Sequence, residues 1–178
     1  LASTESEHFA TGSELGEIRL FKEVGQNAKN LFPGLGGNNL SRYCLRIIIL
    51  TNLDPIIGID TTKDSKWLLA TTKKYLILLP TVSSEKNGYT HPLGKEKALP
   101  KKLQLSLEDI CKNGIKEVNF TPAKFNDSKE GKEKFIVTST GEFIVTWNFT
   151  HIIRGKSAKY EVMNFHEHQT QFAVFLII

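Results

Sequence analysis

Three segments decide the fold of this chain: HFATGSELGEIRLFK (8–22), KWLLATTKKYLILLP (66–80) and KFIVTSTGEFIVTWN (134–148). In each segment a short apolar run ends in small or hydroxylated residues, a turn follows, and a run rich in apolar, β-branched or aromatic residues returns. This pattern is typical of an antiparallel β-hairpin. A hairpin that occurs three times in one chain indicates a repeat architecture.

The turns of these hairpins differ in chemistry. Leu15-Gly16-Glu17 and Thr140-Gly141-Glu142 supply a glycine where a tight turn needs a positive φ, whereas Thr72-Lys73-Lys74 does not. A further turn at residues 63–66 precedes the second hairpin, so that copy predicts three consecutive antiparallel strands. A repeated meander of three or four strands is the blade of a β-propeller.

Strand-like runs dominate the rest of the chain as well. The only predicted helix is LSLEDICKNG (105–114), with Ser106 as its N-cap, Asp109 in its third position and Gly114 at its end. The sequence therefore predicts an all-β fold with ten strands, at residues 9–13, 18–22, 55–62, 67–71, 75–80, 103–105, 118–121, 135–139, 143–149 and 160–165.

The composition is that of a globular protein: 178 residues, 40% hydrophobic, 24% charged, with a formal net charge of +4. The chain begins at Leu1 without a signal-peptide pattern, and we interpret it as an internal or C-terminal fragment. Its longest apolar runs, RIIIL (46–50) and FAVFLII (172–178), are much shorter than the roughly 20 residues of a membrane-spanning helix.

The cysteine and lysine patterns are weak signals. Cys44 and Cys111 have no disulfide or zinc spacing, so we expect two free thiols in a reducing compartment. The lysines of KEKALPKK, between Lys95 and Lys102, could contact phosphate or an acidic partner. No aromatic platform or helix accompanies them, which favours a solvated loop over a nucleic-acid site.

The spacing of the hairpins is irregular for a propeller. Phe9 and Trp67 occupy matching positions 58 residues apart, and Trp67 and Phe135 lie 68 apart, whereas WD40 blades recur about every 40–45 residues. Between Trp67 and Phe135, a polar loop at residues 83–99 and the predicted helix account for the residues beyond one blade length. Between Phe9 and Trp67, the extra residues include an apolar, basic block, NNLSRYCLRIIILTNL (38–53).

Five segments occur in an order that resembles a known family: ATGSELGEIRLF, LFPGLG, DPIIGID, KWLLATTKKYLILL and FIVTSTGEFIVTWNF. They resemble the C-terminal WD40-like domain of the vacuolar import and degradation protein 27 family, from about Ala10 to Phe165. The resemblance implies a WD40-like β-propeller, here a fragment of about three blades. It also implies a eukaryotic, cytoplasmic, non-catalytic scaffold in regulated vacuolar protein import and degradation, which binds other proteins through its propeller loops.

The sequence departs from this family at two places. In the family Pro-Gly-Leu-Gly runs directly into Asp-Pro-Ile-Ile-Gly-Ile-Asp, whereas here residues 37–53 lie between Gly36 and Asp54. Without these 17 residues the spacing from Phe9 to Trp67 becomes 41, which is one blade. The chain then ends in an atypical tail at residues 166–178, which a truncated gene model or a fragment would explain.

Residues 37–53 interrupt the family pattern as an insertion, which we interpret as an unspliced intron that is translated. Gly37-Asn38 can be encoded by the donor-like string GGTAA, and residues 51–54 by a branch-like ACTAATTTAG followed by AT. The alternative is a genuine surface insertion, whose RIIIL run would expose an apolar patch unless it paired as an edge strand.

No catalytic, cofactor-binding or metal site is predicted. The cluster His166, Glu167 and His168 lacks a third or fourth ligand. The hydroxyl residues at strand ends, Ser13, Thr71 and Ser139, lack the nucleophile elbow of a hydrolase. The glycines of PGLGG, Gly34, Gly36 and Gly37, lack the helix that follows a phosphate-binding loop.

Four other residues receive structural interpretations. Asp54 and Asp60 flank one strand at a separation of roughly 20 Å, too far for an acid–base pair, and are expected to bind turns. Trp67 and Trp147 are expected to pack between neighbouring blades, with the indole N–H bonded at a strand end.

Three alternative functions stay open at this stage. A propeller hydrolase would need acids or histidines at equivalent strand starts, where this chain has Phe9, Trp67 and Phe135. The other two are a propeller adaptor in another intracellular signalling or transport route, and a basic surface at Lys95–Lys102 that binds anionic lipid or RNA.

Overall fold

Three sheets of four antiparallel strands follow one another along the described chain. The computed structural model describes residues 1–3, 8–22, 44–49, 54–83, 86–89, 100–127 and 133–165. In each sheet the strands lie in the order in which they occur along the chain, so each sheet is a simple meander. Phe9, Trp67 and Phe135 all lie in the second strand of their sheet, as the hairpin alignment predicts.

The first sheet is built from β1 (Ala2–Ser3), β2 (His8–Gly12), β3 (Glu17–Lys22) and β4 (Cys44–Ile49). The first predicted hairpin is β2 and β3, whose residues pair antiparallel. Burial alternates from Glu17 to Leu20, which is the period of a sheet with one face toward a core, and Phe21 is buried as well, next to a shift in the β3–β4 register.

The second sheet is the middle one, and its central strands are buried on both faces. It consists of β5 (Gly58–Thr61), β6 (Trp67–Thr71), β7 (Leu76–Pro80) and β10 (Lys101–Leu103), while β8 (Val82–Ser83) and β9 (Lys86–Asn87) form a separate two-stranded ribbon. Because both faces of β6 and β7 meet apolar neighbours, their sequences WLLAT and LILLP are nearly continuous apolar runs.

The third sheet follows a short helix, α1 (Leu107–Lys112). Its strands are β11 (Lys124–Asp127), β12 (Glu133–Thr140), β13 (Phe143–Asn148) and β14 (Tyr160–Asn164), with the helix α2 (Phe149–Ile153) between the last two. Burial alternates along β12 and β13, so only one face of this sheet is packed against the second.

Two apolar cores lie between the sheets. The first lies between the first and second sheets and contains Ala2, Ala10, Ile18, Leu20, Ile59, Leu68, Ala70, Tyr75, Ile77, Leu79 and Tyr89. The second lies between the second and third sheets and contains Leu69, Leu76, Leu78, Leu103, Leu105, Ile115, Phe120, Ala123, Ile136, Val145, Trp147, Phe149 and Ile152. Leu68 and Leu69 point to different cores, and burial of each such side chain contributes about 1.5–3 kcal/mol. These cores hold the three sheets side by side.

Most predicted strands are confirmed to within a few residues, and residues 67–71 form β6 as predicted. Two predictions are wrong. The strand predicted at residues 103–105 lies instead at Lys101–Leu103. Residues 118–121, predicted as a strand, contain only an isolated bridge between Phe120 and Thr140. Pro122 lacks an N–H and interrupts the ladder there, so the strand begins only at Lys124.

The predicted helix is confirmed, and α2 is an element that the sequence analysis missed. The Ser106 hydroxyl accepts a hydrogen bond from the Asp109 N–H at 3.1 Å, so Ser106 is the N-cap of α1. In α2 the side chain of Asn148 caps the helix in the same way, through the His151 N–H at 3.0 Å.

The strand β4 lies inside the segment 37–53 that we interpret as an insertion or intron. Its backbone pairs antiparallel with β3, from Glu17 opposite Ile49 to Phe21 opposite Cys44, and it is the last strand of its sheet. This edge pairing is what the surface-insertion alternative requires, and sequencing of the spliced transcript distinguishes the two. The remainder of the segment and the tail at 166–178 lie outside the described residues.

Candidate functional site

The β2–β3 and β6–β7 turns lie at the same end of their sheets. The N–H of Ile56 donates to the carbonyl of Ser13 at 3.1 Å. The hydroxyl of Tyr75 donates to the carboxylate of Asp54 at 2.5 Å. Because Asp54 and Ile56 belong to one short segment before β5, this segment joins the first turn to the second.

The β12–β13 turn lies at this end as well. The N–H of Phe120 donates to the carbonyl of Lys73 in the middle turn at 2.8 Å. Phe120 also bridges to Thr140, and the N–H of Asn119 donates to the Thr140 hydroxyl at 2.9 Å. We call the end of the sheets that carries the turns at 13–16, 72–75 and 141–142 the hairpin-turn face.

The middle turn is closed by Thr72 in place of a glycine. Gly16 and Gly141 have φ values of 72° and 56°, the conformation that favours glycine. Thr72 is buried, its N–H donates to the Tyr75 carbonyl at 2.9 Å, and its hydroxyl accepts from the Tyr75 N–H at 3.1 Å. A threonine that bonds its own turn makes a glycine unnecessary there.

Tyr75 is the anchor of the middle turn. Burial raises the pKa of its hydroxyl to about 12, and the hydrogen bond to Asp54 and the negative charge of Asp54 raise the pKa in the same direction. The hydroxyl is therefore protonated at physiological pH and acts as a donor.

The lysines at the end of the Lys95–Lys102 segment are not in a solvated loop, which corrects the sequence interpretation. Lys101 donates a hydrogen bond from Nζ to the carbonyl of Ile152 in α2. The Nζ of Lys102 lies 4.1 Å from the centre of the Tyr75 ring, a cation–π contact. Both lysines belong to β10, and residues 95–99 lie outside the described residues.

A cleft of about 450 Å³ opens between the inner strands β5 and β11. The carboxylate of Asp60 accepts from the Phe125 N–H at 2.8 Å and from Lys124 Nζ at 3.2 Å. The carboxylate of Glu133 accepts from the Lys63 N–H at 2.6 Å. Both acids of the cleft are thus bonded across the boundary between the second and third sheets.

The two predicted aspartates therefore have different structural partners. Asp54 binds the turn of the second sheet through Tyr75, and Asp60 binds the backbone of the third sheet at Phe125. The expectation that both aspartates bind turns is confirmed for Asp54 and is wrong for Asp60, which binds the strand β11. Buried or half-buried acids with such partners stabilise the packing of the sheets.

Both tryptophans lie at the boundary between the second and third sheets, which confirms the packing prediction. Trp67 contacts the ring of Phe149 edge-on, with ring centres 6.0 Å apart. Trp147 is fully buried, and its ring centre lies 5.8 Å from that of Phe120 and 5.7 Å from that of Tyr160. The prediction of a partner for its N–H is wrong: Trp147 Nε1 has none among the described residues.

The hydroxyl groups at strand ends take part in structural hydrogen bonds. Ser13 Oγ accepts from the Glu17 N–H at 3.2 Å, and Thr71 Oγ1 accepts from the Ala123 N–H at 3.0 Å. Ser139 Oγ lies 3.0 Å from Thr121 Oγ1. The glycines Gly34, Gly36 and Gly37 and the cluster His166, Glu167 and His168 lie outside the described residues.

Two further findings concern metals and membranes. In the described ranges, no three His, Cys, Asp or Glu side chains are placed to hold a metal ion. No helix in this part of the chain has the length and apolar character that crossing a membrane requires. Cys111 is a free, exposed thiol.

The inner strands of neighbouring sheets lie side by side, as in a propeller. The hydroxyl of Thr61 donates to the carbonyl of Ser3 at 3.2 Å, and Asp60 binds Phe125 as described above. These contacts join β1, β5 and β11, the first strands of the three sheets. Three four-stranded meanders with adjacent first strands define a WD40-like β-propeller.

Comparison with known proteins identifies the family. The family model of the VID27 C-terminal WD40-like domain matches residues 1–173. The chain belongs to this family, which confirms the resemblance seen in the sequence.

Two curated relatives are both called vacuolar import and degradation protein 27. The chain is 35% identical to the Schizosaccharomyces pombe protein over 176 residues, which covers 92% of this chain and 20% of the relative. It is 31% identical to the Saccharomyces cerevisiae protein over 164 residues, which covers 86% of this chain and 18% of the relative. The chain thus spans about a fifth of the length of these relatives.

A solved structure is also similar. It is the "Crystal structure of Kluyvelomyces marxianus Hsv2", with a TM-score of 0.46 and 13% sequence identity. The similarity covers 90% of this chain and 44% of that chain.

Proposed function

We propose that this chain is a non-catalytic protein-interaction scaffold that acts in regulated vacuolar protein import and degradation, in the cytoplasm. The observation that carries the proposal is the hairpin-turn face, where turns from all three sheets meet. Loops held by a rigid scaffold are the usual place of binding residues. The names of the two curated relatives supply the process.

The chemistry of the described polar groups supports binding over catalysis. Asp60 and Glu133 bond to backbone N–H groups of a neighbouring element, and Asp54 bonds to a buried tyrosine. A general acid or base needs a free position beside the substrate. Asp60 and Glu133 connect the second and third sheets, and Asp54 fixes the middle turn of the second sheet.

The hairpin-turn face also presents an apolar side chain to solvent. Leu15 is 64% exposed at the tip of the first turn, next to the exposed Glu14. Removal of a leucine this exposed changes the stability of the fold by no more than about 0.5 kcal/mol, because it has little burial to lose. It is a suitable anchor for a partner protein.

Affinity capture of the full-length gene product tests the proposal. We expect wild type to recover specific protein partners, and the double variant Glu14→Lys/Leu15→Ser to lose part of that set. The control is Lys156→Gln/Lys159→Gln, two exposed lysines at the opposite end of the third sheet, which changes the net charge by the same amount in the opposite direction. Recovery of no specific protein by wild type, or equal recovery by both variants, would contradict the proposal.

A further inference from the structure

The three turns of the hairpin-turn face carry different charges. Glu14 lies in the first turn and Glu142 lies in the third, while Glu17 is the first residue of β3 and pairs with Arg19. The middle turn carries Lys73 and Lys74. The middle sheet therefore presents positive charge at the position where its neighbours present negative charge.

The fold does not require lysine at these two positions. Thr72 closes the turn through its hydroxyl. The hydrogen bond from the Phe120 N–H is accepted by the backbone carbonyl of Lys73 and does not involve its side chain. The side chains of Lys73 and Lys74 are exposed, and neither has an acidic partner among the described residues. Two adjacent lysines without a structural role are available for a ligand.

A third lysine lies beside this turn. Lys102 is exposed, and its Nζ lies over the ring of Tyr75. Tyr75 is the residue that follows Lys74. The acid that faces this group is Asp54, whose carboxylate already accepts the Tyr75 hydroxyl. We call Lys73, Lys74 and Lys102 the middle-turn lysines; they keep an excess of positive charge after Asp54 is counted.

We propose that the middle-turn lysines bind an acidic segment of a partner protein. The inference rests on the proposed scaffold function and names the surface and the chemistry of its partner. A peptide with consecutive Asp or Glu residues can place carboxylates against three ammonium groups at once. Such contacts at an exposed surface mainly provide association rate and specificity.

The charges around the patch favour a peptide over a membrane surface. An anionic bilayer that covered the hairpin-turn face would also meet Glu14 and Glu142, which are exposed in the neighbouring turns. Like charges repel within a Debye length of about 8 Å at physiological salt. A single extended strand is narrow enough to contact the middle turn alone.

The test uses the full-length gene product and a fluorescein-labelled peptide of about six glutamates, with a glutamine peptide as its neutral control. Fluorescence anisotropy measures the dissociation constant. We expect binding of the glutamate peptide alone, weaker at about 200 mM than at about 50 mM salt. Lys73→Gln/Lys74→Gln should weaken it about fivefold, a range typical of two exposed charge contacts.

The control variant Lys156→Gln/Lys159→Gln removes the same charge from the opposite end of the third sheet and should bind the peptide like wild type. Equal weakening by both double variants would show an effect of net charge only and would overturn the inference. So would binding to vesicles with roughly 30 mol% phosphatidylserine, lost in Lys73→Gln/Lys74→Gln, without peptide binding.

The outcome is separable from that of the scaffold proposal. If the full-length gene product recovers its protein partners while the glutamate peptide fails to bind, the inference about the lysines is wrong and the scaffold stands. If no specific partner is recovered at all, the scaffold proposal itself fails.

Discussion

Ser65 has a backbone conformation that favours glycine. It lies in the turn between β5 and β6 with φ at 60°, and it is buried. Its Oγ has no hydrogen-bond partner among the described residues. A left-handed conformation costs a non-glycine residue about 1–2 kcal/mol, and a buried unpaired hydroxyl adds to that cost.

Ser65→Gly should therefore stabilise this turn by about 1 kcal/mol, after the extra entropy of glycine in the unfolded chain is subtracted. Hydrogen exchange of the full-length gene product, followed by mass spectrometry, measures the local stability of residues 62–67. Ser157→Gly, in an exposed loop without a positive φ, is the control and should give no gain. Faster exchange in Ser65→Gly would contradict the strain that we assign to this residue.

Gly58 is the opposite case, because a larger residue has no room there. A Cβ at this position would lie 2.6 Å from Cβ and 2.8 Å from Cα of Pro122, which belongs to the segment leading into the third sheet. Gly58→Ala should cost about 1–3 kcal/mol by separating the sheets. Hydrogen exchange in β5 and β11 measures the cost, with Ser157→Ala, in an exposed loop without a positive φ, as a comparison. Unchanged exchange in Gly58→Ala would show that the two segments are not this close.

At the scale of elements, α1 is connected to β14 by a small polar network. The Tyr160 hydroxyl donates to the Asp109 carboxylate, and Ser106 Oγ donates to the same carboxylate at 2.7 Å. The hydrogen bond from Tyr160 lowers the pKa of Asp109 most, the bond from Ser106 and the charge of Lys112 lower it further, and desolvation opposes them. The ionised carboxylate is the form that the folded state prefers.

The network predicts a pH dependence of local stability. Because the folded pKa lies below the unfolded value of 3.8, the contribution is complete above that value. It is lost as the pH falls through the folded pKa. Hydrogen exchange in α1, compared between wild type and Asp109→Asn at each pH, should show a difference that shrinks below about pH 4. A difference that grows with acidity would contradict this assignment.

The sequence predicts the hairpins and β14 well and the strands β10 and β11 poorly. β6 is recognisable because Trp67 to Thr71 is apolar and ends at a turn, and burial on two faces reinforces the pattern. β10 is short, contains two lysines and contributes one buried apolar side chain, Leu103, so its sequence carries little strand pattern. The start of β11 depends on Pro122, whose effect becomes visible once the partner strand is known.

The hairpin-turn face itself could not be predicted. It is assembled by contacts between residues far apart in sequence, such as Asp54 with Tyr75 and Lys73 with Phe120. The charge difference between the turns is visible in the sequence. Its meaning depends on the three turns lying at one end of the molecule, which requires the packing of the sheets.

At the scale of the whole molecule, the segment 37–53 decides how regular the repeat is. We propose that its codons are intronic, because its removal gives a 41-residue spacing between Phe9 and Trp67. Sequencing of the spliced transcript should show Gly36 joined directly to Asp54. A message that retains these codons would establish the surface insertion, with β4 as the edge strand of the first sheet.

The central claim is that the three hairpins are successive blades of a WD40-like propeller in the full-length gene product. An experimental structure of that product tests it most directly. We predict three neighbouring antiparallel meanders, four-stranded in the second and third sheets, with the Asp60 carboxylate bonded to the N–H of Phe125 and the turns at 13–16, 72–75 and 141–142 on one face. Sheets that stack in another order, or turns that lie at opposite ends, would contradict the account.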